Sequence, residues 1–183
     1  MFNVPNLTRI LDIFGIPIEK FGSGKFKRLQ DLFDEIKDED CQIVITGGKI
    51  YRTVSVIRAK VLYKNLILKE YLQTFDDDRE NSPRDRLHVS EKIHIGELAR
   101  DALKRGFEEE LQITSEIDFE EKGVVVEDTN PKTRYPGPKS IYTFYDFTVV
   151  LTEDQYVSEG YVEYGKKTGI TTYFKWVQNL EKL

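Results

Sequence analysis

The chain has 183 residues, of which 39% are hydrophobic and 32% charged, with a single Cys, Met and Trp. That length suits one domain, or one domain with a small extension, and a net charge of −5 excludes a general cationic coat for nucleic acid. No apolar run approaches the ~18 residues of a membrane span, and the lone Cys41 excludes a disulfide scaffold or a Cys-rich zinc site.

In chain order, residues 5–37 predict helix. Leu7, Ile10, Leu11 and Phe14 share one face, Gly15-Ile16-Pro17 interrupts, and Phe26, Leu29, Leu32, Phe33 and Ile36 form a second apolar stripe. Gly22-Ser23-Gly24-Lys25 between them has Glu19 where a phosphate loop needs its first Gly, so a capping turn is expected. Asp38-Glu39-Asp40 closes this part. Residues 1–40 are thus expected as a helical extension and 41–183 as the main domain. No cationic stretch followed by a long apolar one marks residues 1–22 as a secretory signal, and with one Cys a reducing, cytoplasmic location is expected.

Strand patterns follow. Residues 42–46 and 50–56 flank Gly47-Gly48 as a hairpin. Ile57, Ala59, Val61 and Tyr63 alternate with polar residues as a half-buried strand, and 66–75 reads as the next. A charged loop with Pro83 is expected over 76–86, then a short strand over 87–95 and a helix over 98–111. Arg79, Arg84 and Arg86 in that loop suit phosphate or a solvated surface. His88 and His94 lack the spacing of a zinc motif. Residues 124–127, 141–151 and 171–177 predict three more strands. The 129–140 loop carries Arg134, Tyr135 and Lys139, suited to stacking on a nucleotide and contacting its phosphates, or to a plain surface loop. Strands with a helix among them, and helices at the start, make the fold class mixed α/β or α+β.

The helix over 98–111 departs from a simple amphipathic pattern. Ala99, Ala102, Leu103, Phe107 and Leu111 form its apolar face, and Asp101, Arg105, Glu108 and Glu109 lie opposite. Arg105 and Glu109 have i,i+4 spacing for an ion pair. Glu110 falls between Leu103 and Phe107, on the side that packs against a sheet, with Gly106 one turn before it. A carboxylate facing a core is expensive unless it is paired or holds a metal.

Residues 91–113, EKIHIGELARDALKRGFEEELQI, resemble the signature of the Nudix hydrolase superfamily. Glu97, Arg105, Phe107, Glu109, Glu110 and Ile113 occupy six of its nine specified positions, and Gly96 and Ala102 are also usual there. Glu91, Gly106 and Gln112 depart from it, standing for Gly, Glu and Gly respectively. Thr172-Tyr173-Phe174-Lys175-Trp176-Val177 resembles the last strand of many such domains, so the likeness spans roughly residues 42–183.

The resemblance implies an α/β/α sandwich with a mixed sheet. It implies hydrolysis of a phosphoric anhydride in a nucleoside diphosphate linked to another group, by water activated on Mg²⁺ or Mn²⁺. Carried over by position, Glu109 and Glu110 are metal ligands, with the Gly96 carbonyl as a further one. Arg105 would orient a carboxylate, and Glu97 would support the site or its waters. Asp146, Glu159 and Glu163 are candidates for a general base outside the signature. Gly106 removes an oxygen donor usual in the family. The alternative is therefore a catalytically impaired module of the same fold that holds a nucleotide or a protein without cleaving it. A third reading is an unrelated α+β interaction domain. The expected partner is a nucleotide-like small molecule, with no membrane, no broad nucleic-acid binding, and homo-oligomerisation compatible with the sequence.

Overall fold

The computed structural model describes residues 3–24, 26–77, 80–129, 135–165 and 169–180. The fold is mixed α/β, with three α-helices and a mixed, open sheet of nine strands among the described residues. The helices are α1 (Val4–Ile13), α2 (Leu29–Lys37) and α3 (Ala99–Leu111). The strands are β1 (Gln42–Thr46), β2 (Lys49–Tyr63), β3 (Leu66–Phe75), β4 (Ser82–Arg86), β5 (Val89–Lys92), β6 (Asp118–Thr129), β7 (Lys139–Val150), β8 (Tyr161–Gly165) and β9 (Ile170–Gln178). They run in the order β6-β7-β2-β3-β9-β8, with β1 and β5 on β2 and β4 on β3. No helix among the described residues is long and apolar enough to cross a membrane.

The chain divides into two compact units. Unit 1 comprises residues 1–56, 92–97 and 125–144, and unit 2 comprises 57–91, 98–124 and 145–183.

In unit 1, Asn3 caps α1 by accepting the Asn6 amide on its side chain, and Pro5 sits in the first turn where no amide is missed. The apolar stripes of α1 and α2 bury Leu7, Leu11 and Leu32 in one cluster with Cys41, Ile50, Val54 and Val56. The N-terminal helical segment thus shares its core with the β1–β2 hairpin, which turns through Gly47 and Gly48 at positive φ. The interruption expected at Gly15-Ile16-Pro17 is present: Gly15 takes a left-handed conformation and a 3-10 turn, Ile18–Lys20, follows before α2. Ser23 donates its hydroxyl to the Lys20 carbonyl, so it closes that turn and does not cap α2; Lys25 lies outside the described residues.

Unit 2 buries Ile57, Ala59 and Val61 on the second half of β2 and Ala102, Leu103, Phe107 and Leu111 on α3. These are the apolar positions of the strand alternation and of the helical wheel, and α3 packs against β8. Two elements differ from expectation. Residues 82–86 form β4, although the run is charged and contains Pro83. Among the described residues that strand pairs only with β3, so the amide that Pro lacks is not needed by a second neighbour. β8 is a five-residue strand whose pairing with β9 supplies what its short pattern cannot.

Candidate functional site

The charged residues of unit 2 gather where β3, β5, α3 and β8 supply side chains. On β3, Glu70 shares a strand face with Leu66 and Leu68 and is buried. A register shift between Glu70 and Leu72 marks a bulge, a device that re-aims side chains locally. Glu70 accepts from Arg84 Nε at 2.7 Å, and Arg86 Nη1 lies 3.7 Å from its other oxygen. Both arginines come from β4.

On α3, Arg105 Nη1 lies 3.1 Å from Glu91 Oε1 of β5 and 3.3 Å from Glu109 Oε2. The expected i,i+4 pair is present, and the same guanidinium reaches a carboxylate from a different element. The side chain of Glu109 is 57% exposed. Glu110, one residue on, is only 8% exposed and has no hydrogen bond or ion pair among the described residues. Burial, followed by the charges of Glu163, Glu91, Glu70 and Glu109, pushes Glu110 well above the usual carboxylate range. Glu163 on β8 is half-buried and also raised. Burial is the main cause; a hydrogen bond from Thr172 opposes it, and the charges of Glu91, Glu70 and Glu109 add to it.

The helix ends as its sequence position requires of a left-handed residue. Gln112 has φ +57°, and the Ile113 amide reaches back to the Phe107 carbonyl. Six residues earlier, Gly106 is buried under the side chain of Glu91. A Cβ at Gly106 would lie 2.8 Å from Glu91 Cβ and 3.2 Å from its Cγ.

The other expected site residues lie on segments outside α3. Gly96 and Glu97 belong to unit 1. Glu97 accepts the His94 amide on its carboxylate at 2.9 Å and returns its own amide to the His94 carbonyl, closing a tight turn in which Gly96 has positive φ. Lys139 is exposed and pairs with Asp128 at 3.3 Å. Arg134 lies outside the described residues. Tyr135, expected to stack on a nucleotide from a surface loop, is instead 3% exposed in the core of unit 1, with Arg52 over its ring at 5.3 Å. A buried ring offers no face to a substrate. Of the three candidate bases, Asp146 is held by Arg58 in a bidentate pair at 2.7 and 2.9 Å. Glu159 is exposed and accepts from the Ser158 hydroxyl, which lowers its pKa. Glu163 alone faces the α3 carboxylates. His88 is lowered by burial and then by Arg58 and Arg86, which disfavour its charged form.

A second buried charge cluster, in unit 1, is different in kind. Glu35 binds Arg52 Nη2 at 2.5 Å and Lys27 at 2.8 Å, and Lys92 lies 3.9 Å away. Burial raises Glu35, but Arg52, Lys92 and Lys27 together hold it at about 2. Cations match that acid, as a structural ion network requires. Around Glu110 acids face acids.

The charges that act on Glu110 belong to carboxylates, whose oxygens are the chemistry that hard divalent cations take. Among the described residues no three acidic, His or Cys side chains converge on one point as a closed metal cage. Mg²⁺ does not need one: it keeps several waters and binds proteins through one or two carboxylates, with substrate phosphates completing its shell. A buried carboxylate with no hydrogen bond or ion pair among the described residues, on which the charges of four other acids act, fits such an ion. A separate cleft of about 540 Å³ lies at the start of α3, lined by residues that include Leu98, Arg100, Lys122, Tyr145 and Asp146.

Glu70 is the member of this group that sequence reasoning passed over. Its signal was present, because it falls on the same strand face as Leu66 and Leu68. Compared with models of known protein families the chain matches none, and no curated protein matches it.

Proposed function

We propose that this chain is a metal-dependent hydrolase of phosphoric anhydrides, acting on a nucleotide-like substrate in the manner of the Nudix superfamily. The observation that carries the reading is Glu110, a buried carboxylate with no partner among the described residues, on which the charges of Glu163, Glu91, Glu70 and Glu109 act. Mg²⁺ or Mn²⁺ there would neutralise the charge of a diphosphate and acidify an attacking water.

The chain's own residues take defined parts. Glu110, on the buried side of α3, and Glu109, on its exposed side, would hold the cation. Arg105 fixes the direction of Glu109 by a charge-assisted hydrogen bond. Glu163 is the base that takes the proton from the attacking water, since Asp146 is already committed to Arg58 and Glu159 lies exposed on Ser158. Arg84 and Arg86 keep Glu70 in place beside the group. The single, buried thiol of Cys41 favours a reducing compartment, and we infer a cytoplasmic location.

The test is phosphate release from a panel of nucleoside diphosphate derivatives, in Mg²⁺ and then Mn²⁺, with Glu109→Gln and Glu110→Gln beside the native chain. Turnover that requires metal and falls at least a hundredfold in Glu110→Gln supports the reading. Nucleotide binding without turnover, in folded protein, would replace it with the binding module.

A further inference from the structure

Gly106 sits in the middle of a 13-residue helix, where glycine costs about 1 kcal/mol against alanine. Its backbone is not left-handed, so conformational freedom does not account for it. Space does. The stem of Glu91, arriving from β5, crosses the helix where a Gly106 side chain would stand, with the absent Cβ only 2.8 Å from Glu91 Cβ. Gly106 is a notch, and Glu91 lies in it.

The notch brings a strand carboxylate onto the buried face of a helix. Arg105 then holds Glu91 at 3.1 Å and Glu109 at 3.3 Å through the same nitrogen, which orients both acids on one side. Glu91 is among the charges acting on Glu110 and on Glu163. Independently, Glu110 is more than nine-tenths buried, has no hydrogen bond or ion pair among the described residues, and lies one helical turn after the notch, on the same side of α3. Arg105 accounts for Glu91 and Glu109, and Arg84 accounts for Glu70. Among the described residues no cation is paired with Glu110.

We propose that Glu91 is a cation-holding carboxylate, delivered through the Gly106 notch to form with Glu110 the inner pair of a site for Mg²⁺ or Mn²⁺. The inference rests on the metal-dependent reading above and names a ligand from outside the helix. Carboxylates from two elements, with Glu109 beside this pair and water filling the remaining positions, suit a small cation that dehydrates reluctantly.

The experiment measures Mn²⁺ binding on the full chain, by the loss of the free-ion paramagnetic resonance signal and by titration calorimetry, with folding checked by far-UV circular dichroism. The native chain, Glu91→Gln, Glu110→Gln and the surface variant Glu116→Gln are compared. Glu91→Gln keeps the stem in the notch and removes only the charge. The expected result is one Mn²⁺ on the native chain, at least a tenfold loss of affinity in Glu91→Gln and in Glu110→Gln, and no change in Glu116→Gln. A double variant, Glu91→Gly with Gly106→Glu, moves the carboxylate from strand to helix through the same gap and should recover most of the lost affinity. On the native chain, Mn²⁺ should broaden the amide resonances of Glu91 and Gly106. If Glu110→Gln weakens binding while Glu91→Gln binds like the native chain, or if Glu91 is not broadened, Glu91 is only the partner of Arg105. The proposal then fails while metal dependence stands. If the native chain binds no Mn²⁺, both fall together.

Discussion

Replacing Gly106 by alanine should destabilise this protein, although the same change in most helices stabilises. The helical preference of alanine over glycine contributes about 1 kcal/mol in favour. Against it stands a Cβ placed 2.8 Å from Glu91 Cβ and 3.2 Å from its Cγ, where carbon atoms pack at about 3.5–4.0 Å. The obstructing Cβ is fixed to the β5 backbone and cannot swing aside as the end of a long side chain could. Overpacking of this kind costs about 1–3 kcal/mol, and the anchored neighbour puts it near the upper end. The net loss is then about 1–2 kcal/mol, a fall in Tm of roughly 3–6 °C for a chain of this size. In a Glu91→Gly background the obstruction is gone, and Gly106→Ala should stabilise by about 1 kcal/mol. The sign reverses, with a coupling of about 2–3 kcal/mol, large for a pair but within the range of residues in direct contact. Urea denaturation of the four proteins in a chelator, followed by circular dichroism, measures it without any contribution from metal. If Gly106→Ala stabilises the native background by about 1 kcal/mol, Glu91 does not occupy the space as described, and the notch is refuted.

Glu35 is held at about 2 because Arg52, Lys92 and Lys27 outweigh its burial. Its folded pKa lies below its unfolded value, so its contribution is complete above the ordinary carboxylate range and is lost as pH falls towards 2. Glu35→Gln, which leaves Arg52 buried without its partner, should therefore cost about 3 kcal/mol at pH 7 and much less near pH 2.5; an equal cost at both pH values would contradict it. Gln112→Gly should stabilise by about 0.5 kcal/mol, because a left-handed residue with a side chain costs about 1–2 kcal/mol and the greater unfolded freedom of glycine returns part of that. A lower melting temperature would show that the 3.3 Å contact from Gln112 Nε2 to the Val162 carbonyl outweighs the backbone.

The oddity of Glu110 is visible in the sequence because helical periodicity is local. Once 98–111 is a helix, its angular position beside Leu103 and Phe107 follows from 100° per residue. The charged face, the Arg105–Glu109 pair and the apolar alternation of residues 57–63 follow from equally local rules, as does the mixed α/β class. Tertiary structure decided the rest. Tyr135 looks like a surface-loop aromatic until α1, α2 and β1 close over it, and burial of a loop residue depends on contacts far along the chain. Residues 82–86 look like a loop until β3 gives them an edge to pair with, at which point Pro83 costs little. Glu70 and Glu163 carry no mark of belonging to one group, because strand register and not spacing sets their positions: Glu70 lies opposite Phe174 on β9, and Glu163 lies opposite Thr172. The sequence alone determined which carboxylate on α3 turns inward, since that needs one helix. Only the tertiary structure decided that Glu91 fills the gap at Gly106 and that the charges of four other acids act on Glu110, since that needs strands and a helix brought together from distant parts of the chain.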